Sequence, residues 1–176
     1  MFSMAEKLFI SWDEYNTTVE KLAIQIHESY KPDLLIGIMR GGAPIIDVLS
    51  RVFKLKCAYL AVESYSGKGI EDQQGKLVFS REMSSTVQNL GGKLLLCDDL
   101  SDTGVTLNRS IEWLKNYPLL KGKIESIKTA VLWKKAKSTF KPDFCAVTLK
   151  TNPWIVQPFE RYEEIRIEEL KKKHKK

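Results

Sequence analysis

The chain has 176 residues, a formal net charge of +6 and 43% hydrophobic residues, which fits one globular domain and argues against disorder over most of its length. No apolar run approaches the roughly 18 residues of a membrane-spanning helix, and the start lacks a basic segment followed by a long apolar one. We therefore expect a single cytoplasmic domain over residues 1–176, without a membrane span.

Three cysteines and a group of C-terminal lysines add further constraints. Cys57, Cys97 and Cys145 lie far apart in apolar runs, which predicts buried free thiols in a reducing compartment. The net charge points only weakly to anionic partners, because much of it comes from a basic tail over residues 170–176. That tail suits the negative end of a helix dipole; a nucleic-acid-binding tail is the less favoured alternative.

The first fifty residues predict two helices separated by a strand. Ser11, with Glu14 three residues later, forms a capping box at the start of a helix. The apolar run Leu34 to Ile38 predicts a buried strand, Gly41 and Gly42 a turn, and Pro44 the first turn of another helix. We expect the buried stripe of that helix to consist of Ile45, Ile46, Val48, Leu49 and Val52.

The middle of the chain is less regular. Cys57 to Val62 predicts a strand, and the pattern then loosens from Ser64 to Gly92, with a short strand at Leu77 to Phe79. A long irregular segment inside a domain is usually functional. We therefore predict a mobile active-site loop over residues 64–92.

The second half predicts strands at Lys93 to Cys97, Ile127 to Trp133 and Phe144 to Leu149, with a helix from about Gly104 to Asn116. Strands alternating with helices predict an α/β fold with a mostly parallel central sheet flanked by helices. In such sheets the ligand binds at the carboxyl ends of the strands.

Two adjacent carboxylates follow the strand that ends at Cys97. Adjacent strand residues point to opposite faces, so Asp98 and Asp99 can serve one ligand only if the strand ends there and the chain turns. Carboxylates accept hydrogen bonds from sugar hydroxyls and bind Mg²⁺. The pair therefore predicts a site for a ribose and a metal ion.

The residues after the pair open the next helix. Free backbone N–H groups at a helix start can hold a phosphate, and hydroxyl donors add to them. The phosphate-binding candidates are Ser101, Asp102, Thr103, Gly104, Val105 and Thr106. The alternative is a loop in which Ser101 and Asp102 merely cap the helix.

The stretch from Leu94 to Leu107 closely resembles the phosphoribosyl pyrophosphate signature of type I phosphoribosyltransferases. That signature is an apolar strand, two acidic residues, two variable residues and then Asp-Thr-Gly-x-Thr. The resemblance implies that Asp98 and Asp99 lie near the ribose hydroxyls and Mg²⁺, with Asp99 as the metal ligand, and that the next loop holds the 5-phosphate. It also implies a small C-terminal hood and a homo-oligomer.

Two other segments extend the resemblance. Ile36 to Gly42 is similar to the family's pyrophosphate loop, which implies pyrophosphate binding by Arg40 and Gly41; a simple Gly-Gly turn is the alternative. The family often has a non-proline cis peptide there, which a sequence cannot show. Ser64 and Tyr65 resemble the start of the family's mobile loop.

Base specificity is implied by the C-terminal half. Trp154 to Glu160 is similar to the corresponding segment of xanthine-guanine and hypoxanthine-guanine enzymes, with Trp154 as a stacking surface and the backbone near Ile155 at the base edge. Trp154 could instead be ordinary core. The family places a lysine near the purine 6-oxo group, and the sequence leaves Lys134 and Lys135 both possible, with Lys135 preferred.

The resemblance implies an enzyme of purine salvage that transfers the phosphoribosyl group from phosphoribosyl pyrophosphate to guanine, xanthine or hypoxanthine. Asp102 would lie near N7 of the base and manage its proton, a role that a modestly raised pKa would suit. The alternatives are a nucleic-acid-binding regulator with the same fold and an enzyme for another nucleobase.

Overall fold

Strands and helices alternate along most of the chain in the computed structural model, which describes residues 6–64 and 77–175. The strands are β1 (Lys7–Phe9), β2 (Leu34–Met39), β3 (Cys57–Ser64), β4 (Leu77–Phe79), β5 (Ser84–Ser85), β6 (Gly92–Ser101), β7 (Ile124–Lys134), β8 (Phe144–Thr148) and β9 (Trp154–Val156). The helices are α1 (Trp12–Ser29), α2 (Gly42–Phe53), α3 (Val105–Asn116), α4 (Arg161–Glu164) and α5 (Ile167–Lys173).

The central sheet has the strand order β4-β3-β2-β6-β7-β8, with β5 paired to β3. Strands β3, β2, β6, β7 and β8 run parallel to one another, whereas β4 and β5 are antiparallel to β3. The predicted α/β fold with a mostly parallel sheet is therefore confirmed. Parallel pairing brings the carboxyl ends of β2, β6 and β7 to one edge.

Helices cover both faces of this sheet. Strand β6 alternates, with Leu95 and Cys97 packed against α1 and α2, and Leu94 and Leu96 packed under α3. This period of two is the pattern of a strand buried on both faces. Because β6 is covered on both faces, polar groups can reach solvent only where the strand leaves this packing.

The helix starts follow the sequence closely. Ser11 N–H donates to Glu14 Oε2 at 2.8 Å and Glu14 N–H donates to Ser11 Oγ at 3.2 Å, which completes the predicted capping box. The stripe of α2 differs at its end, because Val52 is 56% exposed and Phe53 packs against the core instead. The prediction of a buried Val52 is therefore wrong.

The predicted loop over residues 64–92 is packed structure in its second half. Strand β3 continues to Ser64, and Tyr65 lies in the 65–76 segment, outside the described residues. Strand β4 pairs with β3, and Met83 and Leu90 are buried in the core under α3. The predicted short strand at Leu77 to Phe79 is therefore confirmed, and residues 77–90 contribute a strand pair and core side chains.

A separate two-stranded sheet, which we call the hood, joins the two ends of the chain. Strands β1 and β9 pair in parallel, with Lys7 opposite Trp154 and Phe9 opposite Val156. Helices α4 and α5 follow, and α5 has acidic residues in its first turn and lysines in its last, as the helix dipole favours. Among the described helices, none is long and apolar enough to cross a membrane.

The cysteines are only partly as expected. All three are free thiols, and Cys97 is buried, but Cys57 and Cys145 are only partly buried. The apolar runs of the latter two lie on β3 and β8, away from the doubly covered centre of the sheet.

Candidate active site

The acid pair lies on β6 itself. Contrary to the prediction, the strand does not end at Cys97 but runs through both carboxylates to Ser101, because it stays paired with β7 as far as Lys134. Asp98 is 8% exposed, and its Oδ1 accepts a hydrogen bond from the Asp99 N–H at 2.9 Å. The two side chains are therefore not equivalent: Asp98 is buried, and Asp99 reaches the cavity described below.

Burial dominates the electrostatics of the pair. Burial, and then the charge of Asp99, raises the pKa of Asp98 well above the usual aspartate range. Burial also raises the pKa of Asp99, although a hydrogen bond from Gln157 opposes it. A cation beside Asp99 would offset the repulsion between the negative charges of Asp98 and Asp99.

The pair fits Mg²⁺ chemically, because Mg²⁺ is commonly held by one or two carboxylates together with substrate oxygens. Within residues 6–64 and 77–175, no group of three or more His, Cys, Asp or Glu side chains is placed to hold a metal ion. Asp99 would therefore hold the ion together with oxygens of a bound substrate.

Helix α3 begins at a glycine with a left-handed backbone. Gly104 has φ +90°, and a Cβ there would overlap Phe140, so both the conformation and the space require glycine. The first turn of a helix leaves backbone N–H groups without helical partners. Thr103 and Val105 are exposed beside this turn and Thr106 is partly so, and the Val105 N–H donates to Thr103 Oγ1 at 3.4 Å. A helix start of this kind can bind an anion.

The segment after β7 packs against the loop that begins α3. Ser138 Oγ and Ser101 Oγ are 2.7 Å apart and buried, and the Thr139 N–H donates to the Thr103 carbonyl at 3.2 Å. Ser101 was one of the predicted phosphate-binding residues, but its hydroxyl is buried and is not among the exposed groups of the loop. Its partner Ser138 lies 37 residues away in sequence, so no local pattern indicates the contact.

Asp102 is held by two lysines. Lys135 Nζ lies 2.8 Å from Asp102 Oδ1 and Lys137 Nζ lies 3.1 Å from Oδ2. Burial alone would raise the pKa of Asp102, but the hydrogen bonds and charges of the two ammonium groups outweigh it and lower the pKa. The pKa is thus not raised, as would suit a proton-handling role, and Asp102 is an ionised hydrogen-bond acceptor at neutral pH.

The predicted pyrophosphate loop follows β2. The Met39–Arg40 peptide is cis. A Cβ at Gly41 would overlap the Asp99 carboxylate, so glycine at this position lets the loop touch the acid pair directly. Arg40 Nη2 forms an ion pair at 2.7 Å with Glu163 of α4, which links this loop to the C-terminal segment.

A cavity of about 710 Å³ lies between this loop and the hood. It is lined by Met39, Arg40, Gly41, Ala61, Val62, Glu63, Asp99, Trp154, Phe159, Glu160 and Glu163. Trp154 is 57% exposed, which excludes the alternative of an ordinary core residue, whereas the Ile155 side chain is buried. Asp102 and Lys135 are not among the lining residues of this cavity.

Sequence reasoning missed Gln157, which is 3% exposed and donates from Nε2 to Asp99 Oδ2 at 3.0 Å. The signal was a lone polar residue inside the apolar run from Trp154 to Phe159. It also missed Lys137, which sits in a polar segment where an exposed lysine is ordinary. Lys134, the alternative to Lys135, is partly buried at the end of β7, and Lys135 is the one that contacts Asp102.

A parallel sheet with an anion-binding helix start, an acid pair and basic residues at one edge is typical of an α/β protein that binds a phosphorylated sugar or nucleotide. The family model described as "Phosphoribosyl transferase domain" matches residues 11–164. The chain therefore belongs to the phosphoribosyltransferase family.

Individual relatives agree with this assignment. The chain is 30% identical over 145 residues to a hypoxanthine-guanine phosphoribosyltransferase of Aquifex aeolicus, covering 80% of this chain and 76% of the relative. A hypoxanthine-guanine phosphoribosyltransferase of Bacillus subtilis is 26% identical over 146 residues, covering 79% of this chain and 76% of the relative.

A solved structure supports the same family. The purine phosphoribosyltransferase of Pyrococcus horikoshii superposes with a TM-score of 0.71 at 28% identity, covering 92% of this chain and 97% of that one. The xanthine-guanine-hypoxanthine phosphoribosyltransferase of Helicobacter pylori has the same fold, with a TM-score of 0.71 at 21% identity, over 95% of this chain and 99% of that one.

Replacing Asp98 with Asn tests the repulsion within the acid pair. The amide oxygen can still accept the Asp99 N–H, while the buried charge is removed. Because the pKa of Asp98 is higher in the folded protein than in the unfolded chain, this carboxyl favours folding only while protonated, and its contribution is lost as pH rises through the folded-state pKa. We expect Asp98→Asn to raise Tm at pH 8 and to leave it nearly unchanged at pH 4.

Scanning calorimetry without divalent cations measures this difference. In a chain of this size, 1 kcal/mol corresponds to about 2–4 °C in Tm. Asp47→Asn is the matched control, because Asp47 is an exposed carboxylate on α2 paired with Arg51. A lower Tm for Asp98→Asn at pH 8 would contradict the proposed electrostatics.

Proposed function

We propose that this protein transfers the 5-phosphoribosyl group of phosphoribosyl pyrophosphate to a 6-oxopurine, namely guanine, xanthine or hypoxanthine, and releases pyrophosphate in purine salvage. The observation that carries the proposal is the position of the acid pair on β6. It lies between the Arg40 loop on one side and the Gly104 loop with Lys135 on the other. The relatives named as hypoxanthine-guanine and purine enzymes support the choice of base.

The three parts of phosphoribosyl pyrophosphate match three parts of this edge. The N–H groups and hydroxyls from Thr103 to Thr106 would hold the 5-phosphate. Asp99 would accept hydrogen bonds from the ribose hydroxyls, with Asp98 buried behind it. The backbone at Gly41 and the Arg40 guanidinium would bind the pyrophosphate, since guanidinium groups suit phosphate oxygens.

Mg²⁺ would be held by Asp99 and by oxygens of the bound substrate, where it would neutralise charge on the departing pyrophosphate. Among the protein's own groups, Arg40 would stabilise that leaving group once Glu163 no longer occupies it. Gln157 would keep the Asp99 carboxylate in one orientation.

The base would lie between the hood and Asp102. Trp154 offers an exposed aromatic face on which a purine can stack, and the backbone near Ile155 lies beside it. Lys135 carries a positive charge suited to a 6-oxo acceptor rather than a 6-amino donor. Asp102, ionised, would accept the hydrogen bond of the base N7–H.

The reaction breaks the bond between the ribose anomeric carbon and the pyrophosphate oxygen and forms a bond to a ring nitrogen of the base. Positive charge develops on the ribose ring, as in glycosyl transfer. A nearby Asp99 carboxylate would favour that charge, and Asp102 would take up the N7 proton that the base loses as its other ring nitrogen attacks.

Incubation with phosphoribosyl pyrophosphate, Mg²⁺ and each nucleobase in turn tests the proposal. We expect nucleotide and pyrophosphate with guanine, xanthine or hypoxanthine, and little with adenine or uracil, detected by absorbance and chromatography. Turnover with adenine or a pyrimidine alone would contradict the base assignment. No turnover with any base, together with tight nucleic-acid binding, would favour the regulator.

Asp99→Asn and Gln157→Leu test the acid pair in the reaction. Loss of the charge at residue 99 should reduce kcat by about a hundredfold, in line with an electrostatic contribution of about 3 kcal/mol. Removal of the Gln157 donor should cost roughly tenfold, as expected for a hydrogen bond to a charged group. Both losses should appear in kcat/KM for phosphoribosyl pyrophosphate. Near-normal kinetics in both variants would reject this assignment, and Asp47→Asn serves as the surface control.

Comparison of Lys135→Ala with Lys134→Ala tests which lysine contacts the 6-oxo group of the base. We expect Lys135→Ala to weaken use of all three 6-oxopurines by roughly ten- to a hundredfold, the equivalent of a charge-assisted hydrogen bond of about 1.5–3 kcal/mol, with KM for phosphoribosyl pyrophosphate nearly unchanged. Trp154→Ala should weaken base binding by about 1–3 kcal/mol with less discrimination among 6-substituents. Steady-state kinetics showing the loss in Lys134→Ala instead would move the role by one residue.

A further inference from the structure

The carboxylate of Asp102 is held on both of its oxygens. Lys135 Nζ contacts Oδ1 at 2.8 Å, and Lys137 Nζ contacts Oδ2 at 3.1 Å. A carboxylate with one ammonium group on each oxygen cannot rotate without breaking one of the two ion pairs. The orientation of Asp102 therefore depends on Lys137 as well as on Lys135.

The backbone around Lys137 is fixed on both sides. Its own N–H donates to Asn152 Oδ1 at 2.8 Å, and the next residue, Ser138, is buried against Ser101. Lys137 therefore projects from an anchored segment, unlike a lysine on a free surface loop, and the ion pair that it forms has a defined geometry.

The two lysines differ in how they reach Asp102. The Lys135 side chain is only 8% exposed, whereas that of Lys137 is 47% exposed. Lys135 thus approaches from the protein side, and Lys137 approaches from the solvent side of the site. An ion pair with this much exposure contributes little to stability, so we look for its role in the site itself.

We propose that Lys137 is a positioning residue that fixes the Asp102 carboxylate in the orientation in which it meets the purine. This inference rests on the proposed function. Lys137 does not touch the reacting atoms; it acts through Asp102. Each carboxylate oxygen has two acceptor directions. Oδ1 is buried, so Oδ2 is the oxygen that can accept the N–H of the base while both lysines remain bound.

The same contacts also keep the carboxylate charged. Burial favours the neutral form of Asp102, and the lysines together overcome that tendency, so the pKa of Asp102 is lowered. Of the charged groups in the described residues, Lys135 and Lys137 are the two that act on Asp102, while Asp98 and Asp99 on the preceding strand act on each other. Without Lys137 the carboxylate would protonate at a higher pH and rotate about its remaining contact.

The test compares Lys137→Met, Lys137→Arg and Lys141→Met across pH. Asp102 must be ionised to accept a hydrogen bond from the N–H of the base, so activity is lost as pH falls through the pKa of Asp102. Removal of Lys137 should move the acid limb of kcat/KM for guanine to higher pH, by about half to one pH unit for a partly exposed ion pair. KM for phosphoribosyl pyrophosphate should stay unchanged. Lys137→Arg should retain the wild-type limb, and so should Lys141→Met, because Lys141 is an exposed lysine of the same segment.

A loss in Lys137→Met that is equal at every pH, or the same limb shift in Lys141→Met, would overturn the proposal. A readout independent of turnover is the titration of the Asp102 carboxyl carbon by NMR, assigned by its absence in Asp102→Asn. The midpoint should rise in Lys137→Met, and an unchanged midpoint would overturn the inference whatever the activity. If the wild-type protein uses none of the bases but the Asp102 midpoint still rises in Lys137→Met, the positioning role of Lys137 would be supported and only the proposed function rejected.

Discussion

The site depends on one constraint, the parallel pairing of β6 between β2 and β7. Because all three strands run in the same direction, their carboxyl ends meet at a single edge. The Arg40 loop, the acid pair and Lys135 are each the continuation of one of these strands. A register shift in β6 would therefore separate the Gly104 loop from both neighbouring strands.

Two loops approach their neighbours closely at this edge of the sheet, and the charged groups on its two sides differ. A side chain at Gly41 would overlap Asp99, and one at Gly104 would overlap Phe140. Both loops therefore pack against their neighbours too closely for any residue but glycine. On the cavity side, Asp99 faces Glu160 and Glu163, with Arg40 among them. On the other side, two lysines surround one carboxylate. The first arrangement suits a ligand that brings both phosphate and a cation, and the second suits a neutral base with polar edges.

Much of the fold and the core of the site could be predicted from the sequence, because they depend on local patterns. The capping box at Ser11, the apolar strands and the Asp-Thr-Gly-x-Thr string all act within a few residues of themselves. What could not be predicted depends on contacts between distant segments: the burial of Asp98 by continued pairing with β7, the partnership of Ser101 with Ser138, and the donation from Gln157 to Asp99. The irregular composition of residues 80–92 concealed the burial of Met83 and Leu90, since isolated apolar residues in a polar stretch give no periodic pattern.

The hood has a consequence for how the chain is made. Strand β1 has β9 as its partner in the hood, and the two are separated by almost the whole sequence. A ribosome releases the chain from its N-terminus, so the central sheet through β8 can assemble before Trp154 has emerged. The exposed face of Trp154 therefore appears after the central sheet. Nascent chains would form the Arg40 and Gly104 loops first, and the cavity beside Trp154 only after β9 has paired with β1.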